Sequence, residues 1–232
     1  MKKSDAPGPR RVLLTLTLTT AVLATAALIS LSQLGSSGGS DDAEGLYSEI
    51  PQSLTTLGRA DAPVTISVYE DFQCPFCGRF SREVLPPLVR DHVETGEARV
   101  VSRPLTFLGE DSLEAARAAL AAGEQGLYSE YHSLLFANQG AENSGYVTDE
   151  FLEGLARQVP GLDLRAWNGS RAGGRAGGLP DSQLEEARSA AQASGVDSTP
   201  TLVVGGPGGE KRLSGAEDPE EISTTIREVG AT

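Results

Sequence analysis

The sequence predicts an α/β fold in which helices cover a small sheet, a helical subdomain interrupts it, and an N-terminal signal anchor precedes it. Three observations support this prediction. Short β-branched runs near residues 63–70, 98–105 and 201–204 alternate with segments that carry apolar residues at helical spacing. Two cysteines stand where the first of these strands passes into a helix. An uncharged apolar run occupies residues 12–34.

Length and composition limit the class of protein. A chain of 232 residues suffices for one domain of about 150 to 200 residues plus an anchor. The apolar share of 39% and the charged share of 22% exclude collagen-like, fully disordered and polytopic membrane proteins. The formal charge of -13 disfavours binding to anionic polymers, so nucleic acid is not an expected partner.

The N-terminal apolar run predicts export. Its 23 residues, VLLTLTLTTAVLATAALISLSQL, are long enough to cross a bilayer as a helix. Basic residues at Lys2, Lys3 and 10–11 precede it and mark the cytoplasmic side, so the rest of the chain should lie outside the cytoplasm. The Ala24-Thr25-Ala26 triplet offers a cleavage site, and both a retained signal anchor and a removed signal peptide stay open for residues 1–34.

A polar segment separates this anchor from the expected domain. Residues 35–44 read GSSGGSDDAE, which is typical of a flexible tether. We therefore predict a tether over residues 35–52 and a folded domain over residues 53–232, with a helical insertion at about 108–194. The domain should sit on the extracytoplasmic side of the cell membrane, or be secreted if the anchor is cleaved.

The elements of the domain follow from periodicity and turn residues. A buried strand is predicted at residues 63–70 (PVTISVYE), then a helix that opens at Pro75 and that Pro86-Pro87 should kink or interrupt. A second strand follows at residues 98–105. Later helices are predicted at 112–122, 125–138, 148–158, 182–193 and 219–229, strands at 201–204 and 211–213, and a mobile loop at 171–178.

The two cysteines, Cys74 and Cys77, form the sequence Cys-Pro-Phe-Cys and allow three interpretations. A structural disulfide that closes so short a loop removes little entropy from the unfolded chain. A zinc site needs about four ligands, and the chain adds only His92 and His132, so no metal is expected. Reversible redox chemistry needs two adjacent thiols at a helix start, and this interpretation is favoured.

The helix assigns different roles to the two sulfurs. Cys74 lies at the N-terminus, where unpaired N–H groups and the helix dipole should lower the pKa of its thiol. Cys77 lies one turn further, on the face that also carries Phe80 and Val84, and should be shielded. We predict that Cys74 is the attacking sulfur and Cys77 the resolving one, with no cofactor beyond their own disulfide.

Four segments together resemble the DsbA-type branch of the thioredoxin superfamily, which comprises exported bacterial thiol:disulfide oxidoreductases. They are residues 63–77, 115–126, 131–139 and 195–201, and the resemblance covers about residues 58–229. It implies a thioredoxin fold with a helical insertion. It also implies a cis-proline loop at Thr199-Pro200 that faces the cysteines and binds client protein, with Pro75 and Phe76 beside it.

One departure from the family pattern concerns a buried acid near the motif. Thioredoxin-like proteins often carry a buried acid six residues before the first cysteine, and Val68 occupies that position here. Glu70 lies closer to the motif, so either Glu70 or a water molecule is the candidate for proton transfer to Cys77.

Three functions remain in view. The first is an exported oxidase that donates its disulfide to reduced or unfolded exported proteins and is reoxidised by a quinone-linked membrane protein. The second is an exported disulfide reductase or isomerase with the same chemistry. The third is a tethered client-binding module without catalysis.

Overall fold

The computed structural model describes residues 45–174, 178–215 and 218–231. The predicted signal anchor at 1–34 and the first ten residues of the tether lie outside the described residues. None of the helices within the described ranges is both long enough and apolar enough to cross a membrane.

The described part of the chain contains a six-stranded sheet with the order β1-β2-β4-β3-β5-β6. Its central strands, β3 and β4, are parallel, while β5 runs antiparallel to β3 and forms a hairpin with β6. The strands are β1 (Gln52–Ser53), β2 (Thr56–Leu57), β3 (Val64–Glu70), β4 (Ala98–Pro104), β5 (Thr201–Gly206) and β6 (Gly209–Ser214). The two-residue strands β1 and β2 are too short to show an alternating pattern, so the sequence did not predict them.

Helices cover the sheet and form the insertion between β4 and β5. The first follows β3 directly and lies over residues 75–93, and the last follows β6. The α-helical segments are α1 (Pro75–Arg79), α2 (Leu85–Leu88), α3 (Glu110–Gly123), α4 (Tyr128–Ala137), α5 (Asp149–Ala156), α6 (Leu164–Gly174), α7 (Leu179–Ala193) and α8 (Pro219–Gly230). The insertion predicted at about 108–194 thus corresponds to helices α3 to α7.

The prolines of the first helix do not end it. Residues 75–93 stay helical throughout, but the π-helical segments Phe80–Val84 and Val89–Val93 flank α2, which contains Pro86 and Pro87. Proline has no N–H to donate, and a wider turn relieves the clash of its ring with the preceding turn. The regular α-helix is therefore interrupted by a change of pitch and not by a break.

The folded part begins earlier than residue 53, where the sequence analysis placed it. Tyr47 is only 1% exposed and belongs to the core cluster between the sheet and the helix at residues 75–93, together with Ile66, Val68 and Phe80. Residues 45–52 are therefore not part of a tether. Leu46, Tyr47 and Ile50 are too few to give a periodic signal, so the sequence analysis did not predict this contact.

The glycine-rich stretch after residue 170 is also more ordered than predicted. Helix α6 continues through Gly174, and Arg171 is 5% exposed, with its guanidinium 4.8 Å from the centre of the Trp167 ring. Arg171 also bonds Asp149 at 2.7 Å. These contacts hold the first half of the predicted loop in the insertion, whose core cluster includes Trp167 and both cysteines.

Candidate active site

The two cysteines lie where β3 ends and the first helix begins. Cys74 is the residue before helix α1, with an extended backbone (φ -70°, ψ 119°), and Pro75 is the first helical residue. Proline suits this position because its missing N–H would have no partner inside the helix. Both cysteines are free thiols; Cys74 is 6% exposed and Cys77 is fully buried. The sequence predicted the shielding of Cys77 but a more open Cys74.

The pKa of the Cys74 thiol is lowered to about 6. The largest cause is a hydrogen bond from the Cys77 thiol, while burial acts in the opposite direction. Backbone N–H groups of Cys77 and Phe76 and the side chain of Thr199 lower the pKa further. The helix N-terminus, which the sequence analysis offered as the cause, therefore contributes less than the neighbouring sulfur.

The pKa of the Cys77 thiol is shifted the other way, far above its ordinary value. Burial is the main cause, and the negative charges of Cys74 and Glu70 add to it. The N–H of Asp71, which lies 3.5 Å from the Cys77 Sγ atom, opposes the shift. The two thiols of one motif thus differ strongly in acidity, as their places on the helix predicted.

The loop before β5 forms the opposite wall of the site. The Thr199-Pro200 peptide bond is cis, as the family resemblance implied. The Cys74 Sγ atom lies 3.4 Å from the carbonyl oxygen of Thr199. Thr199 is half-buried and Pro200 is buried, and the carbonyl of Pro200 accepts a hydrogen bond from Gly215 at 2.9 Å.

Pro75 and Phe76 lie on the open side of the motif. Pro75 is exposed, and Phe76 is 53% exposed, which is unusual for so large an apolar side chain. The Arg79 guanidinium lies 5.6 Å from the centre of the Phe76 ring. An exposed aromatic surface therefore borders the acidic thiol.

Glu70, the candidate for proton transfer, is fully buried and lies within hydrogen-bonding distance of His132. The His132 Nε2 atom lies 2.9 and 3.0 Å from the two carboxylate oxygens. The sequence analysis considered His132 only as a possible metal ligand and assigned it no other role. Its pairing with Glu70 was missed, although a buried carboxylate near the motif needs a partner and the chain has only two histidines.

Hydrogen bonds from the insertion hold the loop between β3 and the motif. The buried Asp71 carboxylate accepts from the N–H groups of Gln73 and Leu108, at 2.9 and 3.1 Å, and from the hydroxyl of Ser112 at 2.6 Å. The Gln73 side chain in turn bonds the Leu108 carbonyl. The insertion therefore fixes the loop that positions Cys74.

Gln139 forms a second set of hydrogen bonds between the insertion and the motif. Its amide donates to the carbonyls of Phe72, at 2.8 Å, and of Cys74, at 3.1 Å. Gly78 allows this approach, because a Cβ atom at that position would overlap the Gln139 side chain. The sequence analysis did not identify Gln139, since its partners are backbone atoms 65 and 67 positions away.

A metal centre has no counterpart in the described ranges. Among residues 45–174, 178–215 and 218–231, no three His, Cys, Asp or Glu side chains cluster as metal ligands would.

A parallel β3–β4 pair, an antiparallel hairpin and a dithiol at the start of the first long helix define a thioredoxin-fold protein. The family model described as Thioredoxin matches residues 51–228. The solved structure of DsbA from Chlamydia trachomatis has a TM-score of 0.64 and 26% sequence identity, and the match covers 75% of this chain and 90% of that one. The chain belongs to the DsbA-type branch of the thioredoxin superfamily.

Two curated relatives differ in how much of their length is matched. Disulfide bond formation protein D of Bacillus subtilis is 26% identical over 181 residues, 73% of this chain and 74% of the relative. The Na(+)/H(+) antiporter NhaA 1 of Salinispora arenicola is 34% identical over 172 residues, 73% of this chain. The chain spans only 24% of the length of that antiporter.

Proposed function

We propose that this protein is an extracytoplasmic thiol:disulfide oxidoreductase that exchanges a Cys74–Cys77 disulfide with client thiols, mainly as an oxidase. The observation that carries the proposal is the opposite shift of two hydrogen-bonded thiols: the pKa of Cys74 falls to about 6 while that of Cys77 rises far above its usual range. At neutral pH one sulfur is then a thiolate and the other keeps its proton. Disulfide exchange requires such a reactive sulfur beside a protected one.

The exchange proceeds in two steps. A client thiolate attacks the Sγ atom of Cys74, a client–Cys74 bond forms, the Cys74–Cys77 bond breaks, and Cys77 leaves as a thiolate that takes up a proton. A second client thiolate then attacks the client sulfur of this mixed disulfide, and Cys74 leaves as a thiolate. Two electrons pass from the client to the protein, and the exchange needs no cofactor beyond the disulfide.

The direction of net transfer follows from the stability of the reduced form. A thiolate held at a pKa near 6 stabilises reduced protein at neutral pH, which makes the oxidised protein a stronger oxidant. We expect a reduction potential well above the roughly -270 mV of thioredoxin and toward the roughly -120 mV of strongly oxidising relatives. Equilibration with a glutathione buffer measures it, and a value near that of thioredoxin would assign the reductase or isomerase function instead.

The client would bind along the surface that joins the two walls of the site. Thr199 and Pro200 form one wall, beside the Cys74 sulfur, and Pro75 and Phe76 form the exposed edge. An extended client segment can place its backbone along the Thr199 loop, as in β-strand addition, and an apolar side chain on the Phe76 ring. Glu70 would serve the proton transfer at Cys77 behind this surface.

The location of the protein is part of the same proposal. Residues 1–34 would anchor the chain or direct its export, and the polar residues that follow would let the domain reach its partners. Disulfides form and persist outside the cytoplasm, so the clients would be reduced exported proteins. A quinone-linked membrane protein would accept the two electrons and restore the disulfide.

A reduced, unfolded client with two cysteines tests the function. Oxidised full-length protein should convert this client to its disulfide form, as followed by mass spectrometry. The Cys74→Ser variant should lose this activity, whereas Ser81→Ala, a buried hydroxyl on the same helix, should keep it. A Cys74→Ser variant that oxidises the client at the wild-type rate contradicts the proposal. If the wild-type protein binds the client without oxidising it, and the Cys74→Ser variant binds it equally well, the protein is a client-binding module instead.

A further inference from the structure

Three polar side chains form a hydrogen-bonded row at the end of the sheet opposite the cysteines. The His92 Nε2 atom lies 2.9 Å from the Ser223 hydroxyl, and the Nδ1 atom lies 2.7 Å from a carboxylate oxygen of Glu97. The carbonyl of Glu97 accepts a hydrogen bond from Val64, the first residue of β3, whereas the cysteines follow the last. A strand of seven residues places the row roughly 20 Å from the motif, too far for disulfide exchange to use it.

A tight turn after the first helix brings Glu97 back to His92. The hydroxyl of Thr95 donates to the carbonyl of His92 at 3.0 Å. The N–H of Gly96 donates to the carbonyl of Val93, also at 3.0 Å, and Gly96 has a φ of 77°. Glycine suits this position because other residues are strained at such a φ. Since the chain reverses within these few residues, a carboxylate five positions after the histidine reaches its Nδ1 atom.

Helix α8 holds Ser223 against the other ring nitrogen. Ile222 and Ile226 of this helix are fully buried and belong to the core cluster that contains residues of the first helix. Ser223 follows Ile222 and lies at the margin of this buried face, where it is half-buried. His92 is 6% exposed. The packing of α8 therefore fixes the hydroxyl on a buried imidazole while solvent and small solutes can still reach it.

The carboxylate of Glu97 fixes the tautomer of the imidazole. An ionised carboxylate can only accept a hydrogen bond, so the Nδ1 atom of neutral His92 carries the proton and Nε2 is an acceptor. The Ser223 hydroxyl then donates to Nε2. In this arrangement the histidine can remove the hydroxyl proton while the oxygen attacks an electrophile. The three side chains thus have the order and the spacing of a nucleophile, its base and the group that orients the base.

We propose that Ser223 is a nucleophile that accepts an acyl group from small activated esters, with His92 as its general base and Glu97 as a positioning residue. A small acyl group such as acetyl is expected because Ser223 lies on a half-buried helix surface. An activated ester, such as an aryl ester, is expected because its weakly basic leaving group departs readily. This activity is separate from the disulfide exchange and shares no residue with it.

The reaction proceeds in two balanced steps. The Ser223 Oγ atom attacks the ester carbonyl carbon and gives its proton to His92 Nε2; the bond to the leaving oxygen breaks, and that oxygen departs with the bonding pair and takes the proton from His92. Ser223 is then acylated. A water molecule attacks the acyl carbon and gives a proton to His92, the bond to Oγ breaks, and Oγ takes this proton back. The net reaction is hydrolysis of the ester, without oxidation or reduction.

A fluorophosphonate ester tests the proposal on the wild-type full-length protein. Such a probe forms a stable phosphorus–oxygen bond with an activated serine and releases fluoride, and fragment mass spectrometry locates the label. Thr224 is the matched internal control, because it is the adjacent hydroxyl on α8 and accepts a hydrogen bond from Arg227. Ser223 should be labelled at least about a hundredfold faster than Thr224, since a positioned base contributes about 10² to 10⁴ in rate.

Substitutions separate the roles of the three side chains. Ser223→Ala should lose the label and lower the release of p-nitrophenolate from p-nitrophenyl acetate, measured on oxidised protein so that the Cys74 thiol does not react. Glu97→Gln should slow labelling of Ser223 about tenfold or more, because an amide that donates to Nδ1 leaves the proton on Nε2. Urea unfolding of this variant should stay close to that of the wild type. Thr224→Ala should be labelled within about twofold of the wild-type rate.

Other outcomes overturn the proposal. Equal labelling of Ser223 and Thr224 in the wild type would mean that the three side chains only fasten α8 to the first helix. This comparison needs no variant, so it decides the matter even if Glu97→Gln fails to fold. Unchanged labelling of Ser223 in a folded Glu97→Gln variant would contradict the role of the carboxylate. Ser223→Ala should oxidise client thiols at the wild-type rate, so the acyl transfer and the exchange function are tested independently.

Discussion

The Cys74 Sγ atom and the carbonyl oxygen of Thr199 lie 3.4 Å apart, although 125 positions separate them in the chain. The register of the sheet produces this contact. Strand β5 pairs antiparallel with β3, and Tyr69 lies opposite Thr201. The end of one strand therefore meets the start of the other at the same edge of the sheet, and the loop with the cis peptide bond faces the motif.

Cys77→Ala should raise the pKa of Cys74 toward the ordinary thiol value. The hydrogen bond from the Cys77 thiol is the largest cause of the low pKa, and the N–H groups at the helix start would remain. Ultraviolet absorbance of the thiolate, recorded against pH on reduced protein, measures the change. Ser81→Ala serves as the control, and an unchanged Cys74 pKa in Cys77→Ala would assign the shift to the helix N-terminus instead.

The same Cys77→Ala variant should accumulate mixed disulfides with clients and redox partners in cells. Cys74 can still form the first bond to a client disulfide or other oxidised sulfur, but no neighbouring thiol can release it. Mass spectrometry of the captured adducts identifies both kinds of partner. The double variant Cys74→Ser/Cys77→Ala should capture none, and an equal yield from it would show that the adducts do not involve Cys74.

The stability of the reduced protein should rise with pH between about 6 and about 8.5. Cys74 ionises near pH 6 when folded but only near pH 8.5 when unfolded, so the unfolded chain binds more protons in this window. The free energy of unfolding should then increase by at most about 1.4 kcal/mol per pH unit and lose this gain as pH falls through 6. Above about 8.5 it should fall again, because Cys77 ionises only in the unfolded chain.

Urea unfolding, followed by fluorescence of the single tryptophan Trp167, measures this dependence. The Cys74→Ser variant should show no rise between pH 6 and 8.5. Parallel curves for the wild type and that variant would mean that the pKa of Cys74 is not lowered on folding.

Gln139→Ala should destabilise the protein by about 1 to 3 kcal/mol, because two buried carbonyls next to the motif lose their donor. It should also change the pKa of Cys74, since the Cys74 backbone is no longer fixed. Gln158→Ala is the matched control: its amide also bonds a carbonyl, that of Gly154, but this hydrogen bond is exposed to solvent. A Gln139 variant that behaves like this control would show that the insertion does not position the motif.

The sequence predicted most of the fold, because the elements that carry it have strong local patterns. β-Branched residues predicted the two central strands, Val64 to Glu70 and Ala98 to Pro104, and Pro75 predicted the start of the first helix. The sequence also predicted that Cys74 is more acidic than Cys77, because Cys74 precedes the helix whereas Cys77 lies one turn inside it and is buried. The sequence did not predict helix α6, because its glycines favour a loop. The contacts of Arg171 with Trp167 and Asp149 are tertiary and leave no local pattern.

The supporting groups of the site were not predictable for a similar reason. His132, Gln139 and Asp71 act through partners that are distant in sequence or belong to the backbone, and neither kind of partner leaves a spacing pattern. The dominant cause of the low Cys74 pKa is likewise a side-chain hydrogen bond from the Cys77 thiol, which the spacing of the two cysteines does not specify.

Residue-resolved alkylation of the reduced protein tests the central claim most directly. Iodoacetamide labelling at a series of pH values, read by mass spectrometry of the peptide that carries both cysteines, distinguishes singly from doubly labelled forms and locates the label. The account predicts labelling of Cys74 with a midpoint near pH 6 and no labelling of Cys77 in the folded protein at any pH tested up to about 9. Equal labelling of both cysteines, with a midpoint at the ordinary thiol value, would contradict it.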